Sequence, residues 1–123
     1  MTVRGIGIDA VDIDRFRAAL ARRPAMRRRL FTDDELSTVA SQRDDAASLA
    51  ARFAVREAAM KAMGVGLGAF DFHDVSVERL GSGAPRLRVE GRAAELARSR
   101  GIDAWHVSLT HTETTAVAVV AAL

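Results

Sequence analysis

The stretch "REAAMKAMG", residues 56–64, contains Lys61, which is the only lysine among the 18 lysine and arginine residues of the chain. Glu57 stands four residues earlier, so a helix here would bring its carboxylate within reach of the Lys61 ammonium group. An ammonium group is a compact charge that can also release a proton, which a guanidinium group cannot do. The pair therefore predicts either an ordinary ion pair on a helix surface or a group that contacts phosphate and moves a proton.

Two further residues would complete a site with this pair. Asp9 stands at the end of a predicted strand near the start of the chain, and His111, in "SLTH", stands at the end of a predicted strand near the end of the chain. Asp9 and Glu57 would offer the one or two carboxylates that Mg²⁺ usually takes while it keeps waters and binds substrate phosphates. Lys61 and nearby arginines would supply positive charge for those phosphates. Taken singly, an aspartate at a strand end usually caps a turn, and a lone histidine there usually bonds to the turn backbone.

The first strand is predicted over residues 3–9 because apolar and small residues alternate there. Ile6 and Ile8 would lie on one face, and Asp9 would lie with two glycines on the other. Asp9 should therefore stand at or just past the end of this strand.

A long central helix is predicted over residues 46–63, with Gly64 as the residue that ends it. Its apolar stripe consists of Leu49, Phe53, Met60 and Met63. Glu57 falls on the same stripe. A buried carboxylate without a partner is costly, so Glu57 requires a cation, a metal ion or a proton.

The remaining elements follow from periodicity and turn residues. A second amphipathic helix should end before Pro24, and a capping box of Thr32 and Glu35 starts a short third one. The other predicted elements are a hairpin over 75–80 and 86–90, a helix over 92–100, and a second hairpin over 104–110 and 115–120. We predict one α+β domain over residues 1–123, with an antiparallel sheet packed on the long central helix.

Composition excludes several classes of protein. The chain of 123 residues has no cysteine, which excludes disulfides and thiolate metal sites. Its start lacks the apolar run of a signal peptide, and no stretch reaches the roughly 18 apolar residues of a membrane span. We expect a cytoplasmic protein without a membrane partner. A core of this size is modest, so additional burial through self-association is reasonable.

Seven arginines crowd residues 15–29, although the net charge of the chain is only +2. Such a patch indicates an anionic partner, such as a nucleic acid, an acidic protein or a phosphorylated ligand, or else a solvated helix face. A nucleic-acid-binding domain that uses this patch is the main alternative to an enzyme. Against it, the aromatic content is only 5%, there is no tyrosine, and no aromatic–basic interleaving indicates base stacking.

Three motifs together resemble those of a known family. "GIGIDAVDIDRF", "ARFAVREAAMKAMG" and "WHVSLTH" are similar, in order and separation, to the motifs of the holo-[acyl-carrier-protein] synthases, the small bacterial 4′-phosphopantetheinyl transferases. The resemblance covers nearly the whole chain. It implies Mg²⁺-dependent transfer of 4′-phosphopantetheine from coenzyme A to a serine of apo acyl carrier protein, with release of adenosine 3′,5′-bisphosphate. It also gives the arginine patch a protein partner in place of nucleic acid.

The resemblance also implies roles for individual residues. Asp9, Glu57 and Lys61 would be catalytic, the two carboxylates as Mg²⁺ ligands and the lysine as a phosphate contact that protonates the leaving group. The general base is left open between a metal-associated water and Glu57. The residues implied to lie near coenzyme A are Arg52, Lys61, Gly64, Pro85 and His111. Those implied to meet the carrier protein are Arg15, Arg22, Arg27 and Arg28.

Two further expectations follow from the resemblance: one concerns assembly, and the other concerns a position where this chain differs from the family. The family is homotrimeric with active sites at subunit boundaries, so the resemblance implies the same for this chain. The family usually has a lysine just before the motif glutamate, whereas this chain has Arg56. Arginine supplies charge but gives up no proton, so a proton role at this position is placed in doubt.

Overall fold

The computed structural model describes residues 2–123 of the chain. Within them the strands are β1 (Gly5–Asp12), β2 (Val75–Arg79), β3 (Pro85–Val89), β4 (Trp105–His111) and β5 (Thr115–Ala122). The helices are α1 (Ile13–Arg22), α2 (Met26–Leu30), α3 (Asp33–Val39), α4 (Ala46–Met63) and α5 (Gly91–Ser99), with a 3-10 turn at Phe72–Asp74. The predicted α+β class is confirmed.

Short-range chemistry sets the helix ends. Asp12 caps α1 by accepting a hydrogen bond of 2.9 Å from the backbone N–H of Arg15. Thr32 and Glu35 form the predicted capping box at the start of α3. Gly64 ends α4 with a φ of 71°, in the left-handed region that favours glycine. These local signals explain why the predicted bounds of α4 match the structure.

The strands form two antiparallel sheets, one of order β1-β5-β4 and one made of β2 and β3. In the larger sheet, Asp9 pairs with Ala118 and His111 pairs with Ala116, both on the central strand β5. Asp9 and His111 therefore lie on the two outer strands of one sheet. The outer strands are two spacings apart, which is roughly 10 Å.

The face of the larger sheet that points away from α4 is open to solvent and is apolar along β1 and β5. Ile6 is 68% exposed and Ile8 is 60% exposed. They pair in register with Ala121 and Val119 of β5, which extend the same face. A contiguous apolar face of this kind is typical of a surface that binds another protein chain.

α4 occupies the centre of the molecule and is buried on nearly every side. Leu49, Met60 and Met63 are buried as predicted, and alanines fill much of the remaining contact surface. Phe53 and Glu57 instead lie half-buried at the edge of the helix. Within residues 2–123, no helix combines the length and the apolar character needed to cross a membrane.

β1 approaches α4 unusually closely because it presents glycines to the helix. A Cβ atom added to Gly5 would lie 1.9 Å from the carbonyl oxygen of Ala62. One added to Gly7 would lie 1.8 Å from the carbonyl oxygen of Ala58. No side chain fits at either position, so the strand backbone rests directly on the helix backbone.

Three predicted features differ from the structure. β1 continues three residues past Asp9, because β5 pairs with it along its whole length. α2 was not predicted, since its five residues include three arginines and show no apolar period. The predicted sheet is in fact two sheets, because the β2–β3 hairpin pairs only with itself.

The close approach of β1 and α4 predicts that Gly7→Ala is strongly destabilising. The new methyl group would overlap a backbone oxygen, so we expect a loss of about 3 kcal/mol or more in the free energy of unfolding. Gly66→Ala is the matched control, since a Cβ there meets nothing within 4 Å, and it should change stability by less than about 1 kcal/mol. Urea denaturation of both variants measures this, and similar values for the two would contradict the packing argument.

Candidate active site

Lys61 and Asp9 form the first contact of the candidate site. Lys61 Nζ donates hydrogen bonds to Asp9 Oδ1 at 3.1 Å and to the carbonyl oxygen of Ile8 at 2.9 Å. An ion pair with Glu57, one helical turn away, was one of the two interpretations of the sequence. Within residues 2–123 Lys61 pairs instead with Asp9, because the close approach of β1 brings the Asp9 carboxylate to the lysine.

Glu57 lies beside this pair with its oxygens unused. Within residues 2–123 its side chain forms no hydrogen bond and no ion pair. Burial raises the pKa of Glu57, the negative charge of Asp9 raises it further, and the positive charge of Lys61 opposes both. The two carboxylates are therefore close enough to repel each other. No group of three or more histidines, aspartates and glutamates in the described residues could hold a metal ion, so this pair is the candidate donor set.

A second group of polar residues lines a small cavity of about 80 Å³ on another side of α4. Its lining includes Arg52 of α4, Arg79 at the end of β2 and His111 at the end of β4. Arg52 and His111 were predicted from the sequence, and the structure brings them together. Arg79 was missed, because nothing in the sequence of the hairpin indicates that its last residue turns toward α4.

Arg52 is a buried cation with one unused donor. It is only 3% exposed, and its Nη1 donates to the carbonyl oxygen of Ser48 at 3.1 Å. Its Nε is buried without a hydrogen-bond partner in the described part of the chain. Burial lowers the pKa of Arg52, Glu35 opposes this, and the charges of Arg79 and Arg56 lower it further. Such an environment favours an anionic ligand in the cavity.

Arg56 does not join either group, because it is enclosed in the core. Its side chain and that of Glu35 are both 0% exposed, and they form a two-point ion pair. Burial acts to raise the pKa of Glu35, but the hydrogen bonds and charge of Arg56 outweigh it, and the net shift is downward. The sequence identified Glu35 only as a capping-box residue, so this ion pair was not foreseen.

The predicted site residues thus fall on two sides of α4. Arg52 and Glu57 are five residues apart, which separates their side chains by roughly 140° around the helix. Pro85 pairs with Arg79 across the β2–β3 hairpin and so belongs with the Arg52 cavity. Gly64 is exposed one turn beyond Lys61 and belongs with the carboxylates. One chain alone does not bring the two groups into a single pocket.

The arginine-rich segment divides into paired and unpaired side chains. Arg27 is paired with Asp45, with Nη2 3.0 Å from Oδ1. Arg15 and Arg22 lie two turns apart and line one groove of about 390 Å³ along α1. Arg28 is exposed on α2. None of the side chains of Arg15, Arg22 and Arg28 forms an ion pair within residues 2–123.

Comparison with known proteins gives this geometry a context. Residues 5–120 match the family model described as the 4′-phosphopantetheinyl transferase superfamily. The chain is 48% identical to the holo-[acyl-carrier-protein] synthase of Streptomyces avermitilis over 99% of this chain and 98% of that protein. It superposes on the Neisseria meningitidis holo-[acyl-carrier-protein] synthase with a TM-score of 0.89 at 28% identity, covering 99% of both chains. The structure of the Helicobacter pylori holo-[acyl-carrier-protein] synthase in complex with coenzyme A gives a TM-score of 0.84 at 28% identity, covering 96% of this chain and 99% of that one.

A fold that places two carboxylates beside one lysine, together with a family match over nearly the whole length, defines the class. The chain belongs to the 4′-phosphopantetheinyl transferase superfamily. Within it, the chain is an enzyme of the holo-[acyl-carrier-protein] synthase family, as the full-length identity to curated members shows.

The raised pKa of Glu57 predicts a pH-dependent effect of Glu57→Gln on stability. In metal-free protein the folded state holds the Glu57 proton more tightly than the unfolded state does. The resulting stabilisation is present below the usual carboxyl pKa and is lost as the pH rises through the raised pKa. Glu57→Gln should therefore raise Tm relative to wild type near neutral pH, and the difference should shrink toward about pH 4.

Calorimetry in the presence of a chelator measures this difference. The matched control is Glu113→Gln, an exposed residue between β4 and β5, which should change Tm little at either pH. If the Tm of Glu57→Gln is lower than that of wild type at neutral pH, the raised pKa of Glu57 is contradicted.

Proposed function

We propose that this enzyme transfers 4′-phosphopantetheine from coenzyme A to a serine hydroxyl of apo acyl carrier protein, with Mg²⁺ bound. A bond forms between the serine oxygen and the phosphorus of the pantetheine phosphate, and the bond from that phosphorus to adenosine 3′,5′-bisphosphate breaks. The observation that carries the proposal is the meeting of Asp9, Glu57 and Lys61 from two elements far apart in sequence. The Helicobacter pylori relative in complex with coenzyme A supports the choice of substrate.

Asp9 and Glu57 fit Mg²⁺, which usually takes one or two protein carboxylates and fills its other positions with water and phosphate oxygens. Burial and, after it, the negative charge of Asp9 raise the pKa of Glu57, and a divalent cation beside the two carboxylates would offset both effects. Mg²⁺ would neutralise the charge that develops on the diphosphate. Asp9 and Glu57 would be the residues that hold the cation.

Lys61 supplies a mobile positive charge to the same place. Its side chain is 54% exposed, and it is held by Asp9 and the carbonyl oxygen of Ile8. With a cation bound at Asp9, the Lys61 ammonium group would be able to turn to the leaving phosphate and to donate a proton to it. Gly64, one turn further on, ends α4 next to this group.

The cavity lined by Arg52, Arg79 and His111 is proposed as the site of a phosphate of coenzyme A. A phosphate would balance the charge of Arg52, a cation that lines the cavity and is otherwise buried. Pro85, opposite Arg79 in the hairpin, offers an apolar surface next to this site, suited to the adenine ring.

The acyl carrier protein is proposed to dock on α1 and α2. Arg15 and Arg22 share one face of α1 about 10 Å apart, a spacing that suits an acidic helix on a partner. Arg28 extends this positive surface onto α2, whereas Arg27 contributes little charge because Asp45 pairs with it. Arg17 is likewise paired, with Asp14 and Asp44, which reduces the free positive charge that this segment could offer to a nucleic acid.

A homotrimer is proposed, acting in the cytoplasm, with each active site shared between two copies. The exposed apolar face around Ile6 and Ile8 is available for self-association. In addition, the Arg52 cavity and the Glu57 carboxylate lie on different sides of α4. A neighbour that packs against the sheet would allow the cavity of one copy to face the carboxylates of the next.

Loss of either carboxylate is expected to abolish transfer while leaving the fold intact. Glu57→Gln and Asp9→Asn each remove a negative charge that the cation needs, so turnover should fall by at least about a hundredfold. The release of adenosine 3′,5′-bisphosphate measures turnover, and circular dichroism verifies folding. Glu95→Gln, on the exposed side of α5, is the matched control and should keep wild-type turnover. Wild-type turnover in both carboxylate variants would refute the metal assignment.

Shared active sites predict that two inactive variants restore activity when they are mixed. Arg52→Ala copies keep their carboxylates, and Glu57→Gln copies keep their cavity, so a mixed trimer contains intact sites across some boundaries. Random mixing should restore about a quarter of wild-type activity after unfolding and refolding together. A mixture of Arg52→Ala copies with Arg52→Ala/Glu57→Gln copies should restore none. If the mixture of Arg52→Ala and Glu57→Gln copies recovers no activity, the cavity and the carboxylates of one chain belong to the same active site, and the shared-site proposal is wrong.

A further inference from the structure

Arg56 immediately precedes Glu57, yet it faces the interior. Its side chain is 0% exposed, and its Nη1 donates to Glu35 Oε2 at 3.0 Å while its Nη2 donates to Oε1. Its Nε donates to the carbonyl oxygen of Phe72 at 2.8 Å, and the guanidinium lies 5.1 Å from the centre of the Phe31 ring. A side chain so enclosed cannot touch a substrate. Arg56 is therefore neither a catalytic group nor a proton donor.

Glu35 connects this arginine to the β2–β3 hairpin. Its Oε2 accepts a hydrogen bond of 3.1 Å from the backbone N–H of Val77 in β2. Arg79, the cation at the rim of the phosphate cavity, lies two residues further along the same strand. Glu35 Oε1 in turn accepts a hydrogen bond of 3.0 Å from the backbone N–H of Thr32, and this bond fixes the start of α3.

On the other side, Arg56 is bound to the turn of α4 that carries Arg52. Its Nη1 lies 3.3 Å from the carbonyl oxygen of Arg52 and donates to it. The two arginines of the cavity thus come from two elements, α4 and β2, and the Glu35–Arg56 ion pair joins those elements. The pair is buried, so water does not weaken its hydrogen bonds.

We infer that Arg56, acting through Glu35, is a positioning residue that sets the distance between Arg52 and Arg79 so that both reach one phosphate group. The inference rests on the proposed function, because it takes the cavity as the site of a coenzyme A phosphate. A lysine, which the family usually has here, carries its three donors on one nitrogen. It cannot span both oxygens of Glu35 and the carbonyl oxygen of Phe72 at once.

Binding of adenosine 3′,5′-bisphosphate, followed by titration calorimetry, tests the inference without relying on turnover. Arg56→Lys keeps the charge but loses the fixed geometry, so its Kd should rise about tenfold, as for the loss of one hydrogen bond to a charged group. In the transfer assay KM for coenzyme A should rise while kcat and its pH profile stay near wild type. If Arg56→Lys fails to fold, Glu35→Gln/Arg56→Met removes both buried charges together and takes its place.

A double-mutant cycle separates positioning from general damage to the fold. Arg79→Ala alters an exposed side chain and should itself raise the Kd. If Arg56 acts by placing Arg79, Arg56→Lys should raise the Kd much less in the Arg79→Ala background. Ile102→Ala is the control for destabilisation alone, since it removes buried volume after α5 and should leave the Kd unchanged.

Additive effects in the cycle, or an unchanged Kd in Arg56→Lys, would overturn the positioning role alone. A fall in kcat with an altered pH profile would overturn the positioning role and show that Arg56 affects the reacting groups beside Glu57. Failure of the wild-type protein to bind the bisphosphate would overturn the proposed function and the inference together.

Discussion

Because Gly5 and Gly7 carry no side chains, the backbone of β1 lies directly against the backbone of α4. This contact brings Asp9 to Lys61 at 3.1 Å and places its charge beside Glu57, although β1 and α4 are some fifty residues apart in sequence. The result is a half-buried carboxylate without a partner next to a second carboxylate, an arrangement that is costly in an empty protein. Such strain is expected where a ligand completes the structure.

On the opposite side of α4, buried cations outnumber buried anions. The buried charged side chains are Arg52, Arg56 and Glu35, so two cations share one anion. Glu35 satisfies Arg56, and Arg52 is left with an unused donor at a cavity. The group of Asp9, Glu57 and Lys61 on one side of α4 therefore carries a net negative charge, and the group of Arg52, Arg56 and Glu35 on the other side carries a net positive charge. A metal ion and a phosphate would balance them, and the proposed coenzyme A and Mg²⁺ would supply both.

Local chemistry made much of this architecture predictable. Gly64 and the Thr32–Glu35 capping box gave helix ends that match the structure, and alternation in the first strand placed Asp9 on the face of the glycines. The partner of Lys61, the burial of Arg56 and the role of Arg79 were not predictable in the same way. Each depends on contacts between elements far apart in sequence. The alanine-rich α4 also gives no sharp apolar stripe, so periodicity could not show that Arg52 and Arg56 face inward.

The central claim is that this enzyme transfers 4′-phosphopantetheine from coenzyme A to an acyl carrier protein. The most direct measurement is the intact mass of apo acyl carrier protein after incubation with the enzyme, coenzyme A and Mg²⁺. The account predicts a gain equal to one phosphopantetheine group on the carrier, absent when a chelator replaces Mg²⁺ or when the carrier serine is changed to alanine. No mass gain with folded enzyme and a competent carrier would contradict it.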